Sequence, residues 1–185
     1  MYIMTPNVYL EIVDDNGKRL PEDGKSIGNL YIRGNTIAGG YYNNEEASRA
    51  AIDDEGYFGT GDVASIDEQG FLRLTDRAKD LIKSGGEWIS SIDLENRAMS
   101  HPDVENCAVI AIPHEKWDER PLLVVVPAEG KKPSKEALIK HLEGHFAKWQ
   151  MPDDVVYEDE LPLTATGKVS KLTLRQKYEN YTLAS

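Results

Sequence analysis

The sequence predicts an α+β protein, and three observations carry that prediction. The first half holds short runs of strand character, Val8–Val13, Gly28–Arg33, Val63–Ile66 and Phe71–Thr75, set off by Gly-bearing turns instead of the helical crossovers that parallel sheets require. The second half holds two apolar runs, Asn106–Ile112 and Pro121–Val126, which suit strands buried on one face or both. Helical periodicity is confined to separate stretches that follow Ser90 and Ser134. Strands and helices are therefore segregated, which is the mark of α+β and not of α/β order.

Each element has a local cause. Val8–Val13 runs into Asp14-Asp15-Asn16-Gly17, where Asn or Gly accepts positive φ, and Gly28–Arg33 follows after a Pro21–Gly24 loop. Thr36–Tyr42 is Gly-rich and aromatic but lacks the lysine and the Ser/Thr of a phosphate loop. Glu45–Ala51 reads as a short helix with acids in its first turn and Arg49 near its end, matching the helix dipole. Asp67-Glu68-Gln69-Gly70 joins Val63–Ile66 to Phe71–Thr75 as a hairpin, with Asp62 placed just ahead of its first strand. Leu81–Lys83 and Glu87–Ser90 form a second hairpin with Ser84-Gly85-Gly86 at its tip, where glycine permits close approach to the backbone. The helix after Ser90-Ser91 has Asp93 and Glu95 in its first turn, presents Ile92, Leu94, Ala98 and Met99 as a core stripe, and stops near His101-Pro102. Pro113–Arg120 is expected to be a polar turn between the two apolar strands. After a Lys131–Ser134 loop, a helix places Leu138, Leu142 and Phe146 on its core face with Ile139 beside them. A strand at Asp154–Tyr157 leads to Leu161–Val169, a Pro/Thr/Gly-rich loop that presents Lys168 on a flexible arm before a helix starting near Ser170.

Composition limits the function classes. The 185 residues hold one ordinary domain or two small ones, and the net charge of -11 argues against nonspecific nucleic-acid binding, which depends on phosphate neutralisation. No apolar run approaches the roughly 20 residues of a membrane helix, and the N-terminus lacks a signal-peptide pattern. The single cysteine, Cys107, rules out an intramolecular disulfide, reads as a small core residue, and fits a cytoplasmic setting. Neither His101 nor His114 has a partner at metal-ligand spacing, and His141 and His145 lack a third ligand, so no metal site is expected. Against the acidic whole, the last stretch carries Lys168, Lys171, Arg175 and Lys177 with the single acid Glu179, a place to look for an anionic ligand or else a solvated basic face.

Special residues concentrate between Tyr57 and Ser91: Gly59-Thr60-Gly61-Asp62 in a Gly-rich turn, the charged run Asp76-Arg77-Ala78-Lys79-Asp80, and Ser84-Gly85-Gly86-Glu87-Trp88. Read alone, Asp62 is a turn cap or an acceptor for two vicinal hydroxyls, and the charged run is a surface ion-pair cluster or part of a site. Together with Leu161-Pro162-Leu163-Thr164-Ala165-Thr166-Gly167-Lys168-Val169, this ordered set resembles the adenylate-forming superfamily of acyl-CoA synthetases, luciferases and peptide-synthetase adenylation domains, in its fatty-acyl-CoA synthetase branch.

The resemblance implies a C-terminal part of such an enzyme. Residues 1–76 would be the β-rich tail of the large N-terminal adenylation domain, and 77–185 a small α+β domain with a β-hairpin and a three-stranded sheet flanked by helices. It implies ATP, Mg2+ and coenzyme A as ligands and a carboxylic acid, a medium- or long-chain fatty acid, as substrate. It implies that Asp62 holds the ribose, Arg77 the ribose and phosphate region, and Lys79 the hinge about which the small domain turns. Ser84, Gly85, Gly86 and Trp88 would form the loop lining the pantetheine tunnel; Trp88 stands where other members carry a basic residue and also reads as an aromatic packing an interface. Lys168 would be the adenylation catalyst. Asp76 departs from members with Gly before the arginine, as fatty-acyl members do. The chain holds no Ser/Thr/Gly-rich loop followed by Pro-Lys-Gly, the family's phosphate-binding motif, so it is expected to need the missing N-terminal domain and to be inactive alone. Two further readings stand beside this one: a noncatalytic nucleotide- or CoA-binding regulatory module, and part of a carrier-protein-loading adenylation domain.

Overall fold

The computed structural model describes residues 7–183, and the chain divides between Lys79 and Asp80 into two compact units. Arg77 belongs to the first unit because it is the last rung of a strand ladder there. The whole is α+β.

The first unit is a four-stranded antiparallel sheet in sequence order: β1 (Val8–Val13), β2 (Gly28–Gly34), β3 (Phe58–Ile66) and β4 (Leu72–Arg77), with α1 (Glu45–Ala51) between β2 and β3. Its buried face is small, formed by Ile12, Leu30, Ala64 and Ile66, with Leu10, Leu20, Ile32 and Leu72 at the margin. One turn device recurs three times. Asp14, Asp53 and Asp67 each accept hydrogen bonds from the amides two and four residues on, and each carbonyl accepts from a glycine three residues on. Those glycines, Gly17, Gly56 and Gly70, have φ between +77° and +81°, a region a side chain would make costly. The sequence pointed to the first and last of these turns; the middle one lacks flanking strand alternation and was not anticipated.

The second unit holds β5 (Ile82–Ser84), β6 (Glu87–Ile89), α2 (Ser91–Met99), β7 (Val104–His114), β8 (Asp118–Pro127), α3 (Lys135–Leu142), a 3-10 turn at Lys148–Gln150, β9 (Asp154–Tyr157) and α4 (Lys171–Lys177). The sheet runs β6-β5-β8-β7, and β9 lies parallel to β8. The expected hairpin and three-stranded sheet are therefore joined into five strands by one pairing, Ser84 with Asp118. β8 is the hub. Leu122, Leu123, Val124 and Val125 are all 0% exposed, so the strand is covered on both faces. Leu123 and Val125 pack with Leu94, Ala98, Leu138 and Leu142 from α2 and α3. Leu122 and Val124 pack with Leu161 and with Leu174 of α4.

Three expectations are corrected here. In α2 the buried positions are Ser91, Leu94 and Ala98, whereas Ile92 is 40% and Met99 42% exposed. At about 100° per residue, positions 92 and 99 fall on the opposite side from 94 and 98. α3 ends at Leu142, so Phe146 lies beyond it, although it still packs against the core. Pro113–Arg120 is mostly strand, since β7 runs to His114 and β8 begins at Asp118.

His141 at the end of α3 stands edge-on to His101, ring centroids 5.1 Å apart, with Nε2 2.9 Å from Ser100 Oγ. Burial, then the neighbouring Arg97, His101 and His145 charges, hold its pKa below the ordinary imidazole value against the raising effect of a backbone hydrogen bond.

Two outcomes follow for unfolding followed by fluorescence, which reports the second unit alone because Trp88, Trp117 and Trp149 all lie in it. Leu94→Ala should cost about 2–5 kcal/mol and Ile92→Ala under about 1 kcal/mol; equal losses would refute the helix phase. The lowered His141 pKa means that the unfolded chain takes the proton more readily. The stabilisation it contributes is present above about pH 6.5 and is lost as pH falls through the lower folded value. His141→Asn should flatten this part of the decline, and an unchanged pH profile would exclude it.

Candidate functional site

In the first unit the sequence Thr60-Gly61-Asp62 is displaced from the regular ladder. β2 and β3 pair at Asn29 with Val63 and again at Tyr31 with Gly59, so three residues of β3 stand opposite Leu30 alone. Such a bulge re-aims the side chains it carries. The Thr60 hydroxyl donates to the Leu30 carbonyl at 3.1 Å and accepts from the Asp62 amide at 3.0 Å, while Gly61 takes φ +72°. Asp62 is thus inside β3, not ahead of it, and owes its presentation to the bulge. Across the next ladder Asp62 is the partner of Arg77, and Arg77 Nε lies 3.2 Å from Asp62 Oδ1. Both side chains stay partly open to solvent, so the carboxylate retains acceptor capacity for a ligand.

The neighbouring charges do not form one surface cluster. Asp76 is buried at 4% exposure and accepts from the Arg77 amide at 2.8 Å. Lys79 is exposed at the end of the first unit. Asp80, in the second unit, is paired with Arg175 at 2.7 Å.

Lys168 sits on a fixed turn and not on a flexible arm. Leu163 and Val169 form an isolated bridge, the Thr164 amide donates to the Lys168 carbonyl at 2.7 Å, and the Gly167 amide donates to the Thr164 carbonyl at 2.9 Å. The Lys168 amide in turn donates to Thr164 Oγ1 at 3.2 Å, and the Ser170 amide to the Pro162 carbonyl at 2.7 Å. Gly167 has φ +79°, as the tip of this turn requires. The lysine side chain is exposed, and among the described residues nothing pairs with it.

The other cations of this basic end are already engaged. Lys171 lies 2.7 Å from Glu95 Oε1 and donates to Ser91 Oγ at 2.5 Å. Arg175 pairs with Asp80, and Lys177 with Glu158 at 2.6 Å. Lys171, Leu174, Arg175 and Tyr178 share one helix face and look inward, with Tyr178 donating to Glu158. Burial and the Glu158 carboxylate push the Tyr178 hydroxyl pKa upward, so it keeps its proton as the donor. The basic end is therefore neither a broad anion site nor a solvated face. The i, i+3, i+4 spacing around Leu174 is the sequence signal that marks Lys171 and Arg175 as inward-facing.

After Ser84, the last residue of β5, Gly85-Gly86 forms the two-residue turn to β6, with φ of +58° at Gly85 and +86° at Gly86. A cleft of about 310 Å³ opens beside it, lined by Gly85, Glu87, Trp117, Arg120, Trp149 and Asp153. The sequence marked the glycines but neither Trp117 nor Arg120. Trp88 is half-buried across from Lys83, whose ammonium lies 5.6 Å from the ring centroid. Cys107 is buried, and burial first, then the Glu95 charge, pushes its thiol pKa up to about 12. Among the described residues no group of three or more His, Cys, Asp or Glu side chains is gathered to hold a metal ion. No described helix is long and apolar enough to cross a membrane.

The fold agrees with comparisons to known proteins. The family of the AMP-binding enzyme C-terminal domain matches residues 93–168. A long-chain-fatty-acid–CoA ligase of Thermus thermophilus is 54% identical over 95% of this chain and 32% of its own length. A 3-methylmercaptopropionyl-CoA ligase of Ruegeria pomeroyi is 50% identical over 94% of this chain and 32% of its own length. The crystal structure of ATP-bound MatB from Rhodopseudomonas palustris superposes with a TM-score of 0.84 at 33% identity, covering 95% of this chain and 35% of that one. The chain thus spans about a third of the length of the curated relatives it matches. With this fold, the chain carries the C-terminal domain of the AMP-binding enzymes, and along nearly all of its length it is similar to acyl-CoA ligases of the adenylate-forming superfamily.

Proposed function

We propose that this chain acts, with a larger adenylation domain of the same enzyme, in ATP-dependent ligation of a medium- or long-chain fatty acid to coenzyme A. The observation that carries the reading is Lys168: an exposed ammonium on a hydrogen-bonded turn, left without a partner among the described residues while Lys171, Arg175 and Lys177 are paired. A carboxylic acid does not acylate a thiol at neutral pH because oxide is a poor leaving group. Attack of the carboxylate on the α-phosphate of ATP gives acyl-AMP and pyrophosphate, and the thiol then displaces AMP. Two anions meet in the first step, and a preorganised cation between them stabilises the transition state. Lys168 supplies it.

Asp62 accepts hydrogen bonds from the two ribose hydroxyls, held in place by the Thr60 hydroxyl and the Arg77 guanidinium. Arg77, half open to solvent, keeps donors for the phosphate side. Mg2+, carried on the ATP phosphates, supplies charge neutralisation there. Lys79 is the hinge, a role supported by the division of the chain at that residue. Turning there withdraws Lys168 and brings the Ser84-Gly85-Gly86 loop and Trp88 to the thiol, so that one small unit serves both half-reactions. The long-chain ligase of Thermus thermophilus supports the fatty-acid substrate. The isolated chain is expected to be inactive.

The test joins this chain to the preceding part of the Thermus thermophilus ligase, in place of the matched segment, and follows acyl-AMP and acyl-CoA by mass. Lys168→Ala should lower acyl-adenylate formation by about 10²–10³-fold while acyl-CoA formation from supplied acyl-AMP continues. Adenylation unaffected by the substitution would sink the mechanism, and a chimera that binds ATP but turns nothing over would point to a binding module instead. Asp62→Asn should raise the KM for ATP roughly tenfold, as loss of a charged hydrogen bond does, with the KM for CoA unchanged. A matching rise for both substrates would remove the ribose assignment.

A further inference from the structure

The β5–β6 hairpin is weakly built on its own account: it has three residue pairs, and its turn is two glycines. What fixes it is the entry into β8, where four consecutive residues, Trp117 and the first three of the strand, each grip it. The Trp117 carbonyl accepts from the Gly85 amide at 2.9 Å. Asp118, at φ +65°, pairs with Ser84 in the ladder. Glu119 Oε2 accepts from the Lys83 amide at 2.8 Å. Arg120 Nη1 donates to Ser84 Oγ at 3.0 Å. The Trp117 ring also closes over the turn, since a Cβ built on Gly85 would lie 2.8 Å from its Cε3.

Arg120 is the centre of this arrangement. It is only 7% exposed. Its Nε lies 3.0 and 2.9 Å from the two Asp153 oxygens, and its Nη2 lies 2.6 Å from Oδ1. It also donates to the Trp149 carbonyl at 2.5 Å and the Met151 carbonyl at 3.0 Å. The planar fork therefore ties β5, β8, the 3-10 turn and the approach to β9 to one point, on the floor of the cleft beside Gly85. A buried ion pair is poor evidence of stability, because apolar residues of equal volume serve as well or better. What the fork provides is geometry.

We infer that Arg120, held by Asp153, is a positioning residue for the thiol half-reaction: it sets where the Ser84-Gly85-Gly86 loop stands without touching any substrate. The inference rests on the proposed role of that loop toward coenzyme A. Arg120 joins Ser84 of the loop to Trp149, Met151 and Asp153 and has no hydrogen bond to the turn that carries Lys168 among the described residues, that turn being fixed by its own hydrogen bonds and by the ion pairs of α4. The two half-reactions should therefore respond differently to its replacement.

The experiment takes Arg120→Lys, whose point charge cannot span Ser84 and Asp153 together, and the nearly isosteric Asp153→Asn. In the full chain, amide hydrogen exchange is read at Gly85, Gly86 and Glu87 and, as a folding control, along β7. In the chimera with the Thermus thermophilus ligase, acyl-adenylate formation and acyl transfer to CoA are measured separately. The expected result is exchange at least about tenfold faster at the loop with β7 unchanged, adenylation within about twofold of the unsubstituted chimera, and kcat/KM for CoA lowered about tenfold or more, corresponding to roughly 1.4 kcal/mol. Equal losses in both half-reactions would make Arg120 a general structural residue and overturn the inference, as would loop exchange and CoA kinetics left unaltered. An unsubstituted chimera that forms acyl-AMP but no acyl-CoA would overturn the CoA reading itself, and the exchange measurement would then decide the positioning of the loop by itself.

Discussion

Burial of β8 on both faces is the constraint on which the second unit depends. Alternate residues of one strand enter two cores, one under α2 and α3 and the other under α4. A strand so placed cannot shift register by one residue without exchanging the two faces. Within the second unit the glycine hairpin, β9 and α4 are all anchored to it. Its first residues hold the glycine hairpin, its middle pairs with β9, and the face it shares with Leu174 seats α4, whose N-terminal side carries the Lys168 turn. In a chain with a net charge of -11, the turn ahead of α4 leaves the Lys168 ammonium exposed because the cations that follow it are each paired with an acid.

That cancellation explains how a basic segment produces a single available ammonium. Glu95, Asp80 and Glu158 come from three different parts of the second unit and meet Lys171, Arg175 and Lys177 along one short helix. The Glu95 carboxylate is further engaged by the Val109 amide at 2.7 Å, so Lys171 is tied to α2 and β7 together. Such partly buried pairs lose strength if either partner is removed, since the other charge is left desolvated. The helix is thus oriented by charge as well as by Leu174, and the turn ahead of it inherits that orientation.

Much of this was legible in the sequence. Strand alternation and Gly turns located β1 to β6, N-cap serines located α2, α3 and α4, and the two apolar runs located β7 and β8. Asp62, Gly85, Gly86 and Lys168 stood out because they lie in stretches rich in glycine, threonine, serine or proline, residues that shape a backbone and leave little core, and Arg77 because it sits in the charged run Asp76–Asp80. The failures have two origins. Periodicity is a local signal, and it cannot say which partner a polar residue finds far along the chain. Arg120 reads as a loop residue until Asp153, Trp149 and Ser84 are brought around it, at separations of 29 to 36 positions. Lys171 and Arg175 read as an anion site or a solvated face because their acidic partners, Glu95 and Asp80, lie 76 and 95 positions earlier in the chain. Ile92 and Met99 were assigned to the core on hydropathy, where the helical angle alone places them outside.

The position of Cys107 has a bearing on chemical selectivity. An enzyme that makes a mixed anhydride and passes its acyl group to a thiol exposes its own thiols to the same electrophile. The only cysteine of this chain is closed inside the core against the Glu95 carbonyl at 3.5 Å, with its thiol held protonated by burial and by the adjacent carboxylate. A protonated, enclosed sulfur is no nucleophile. Under the proposed function, the unit that would deliver coenzyme A to an acyl-adenylate would therefore offer no competing thiol of its own, the one cysteine sulfur being closed off by the same packing that builds the sheet.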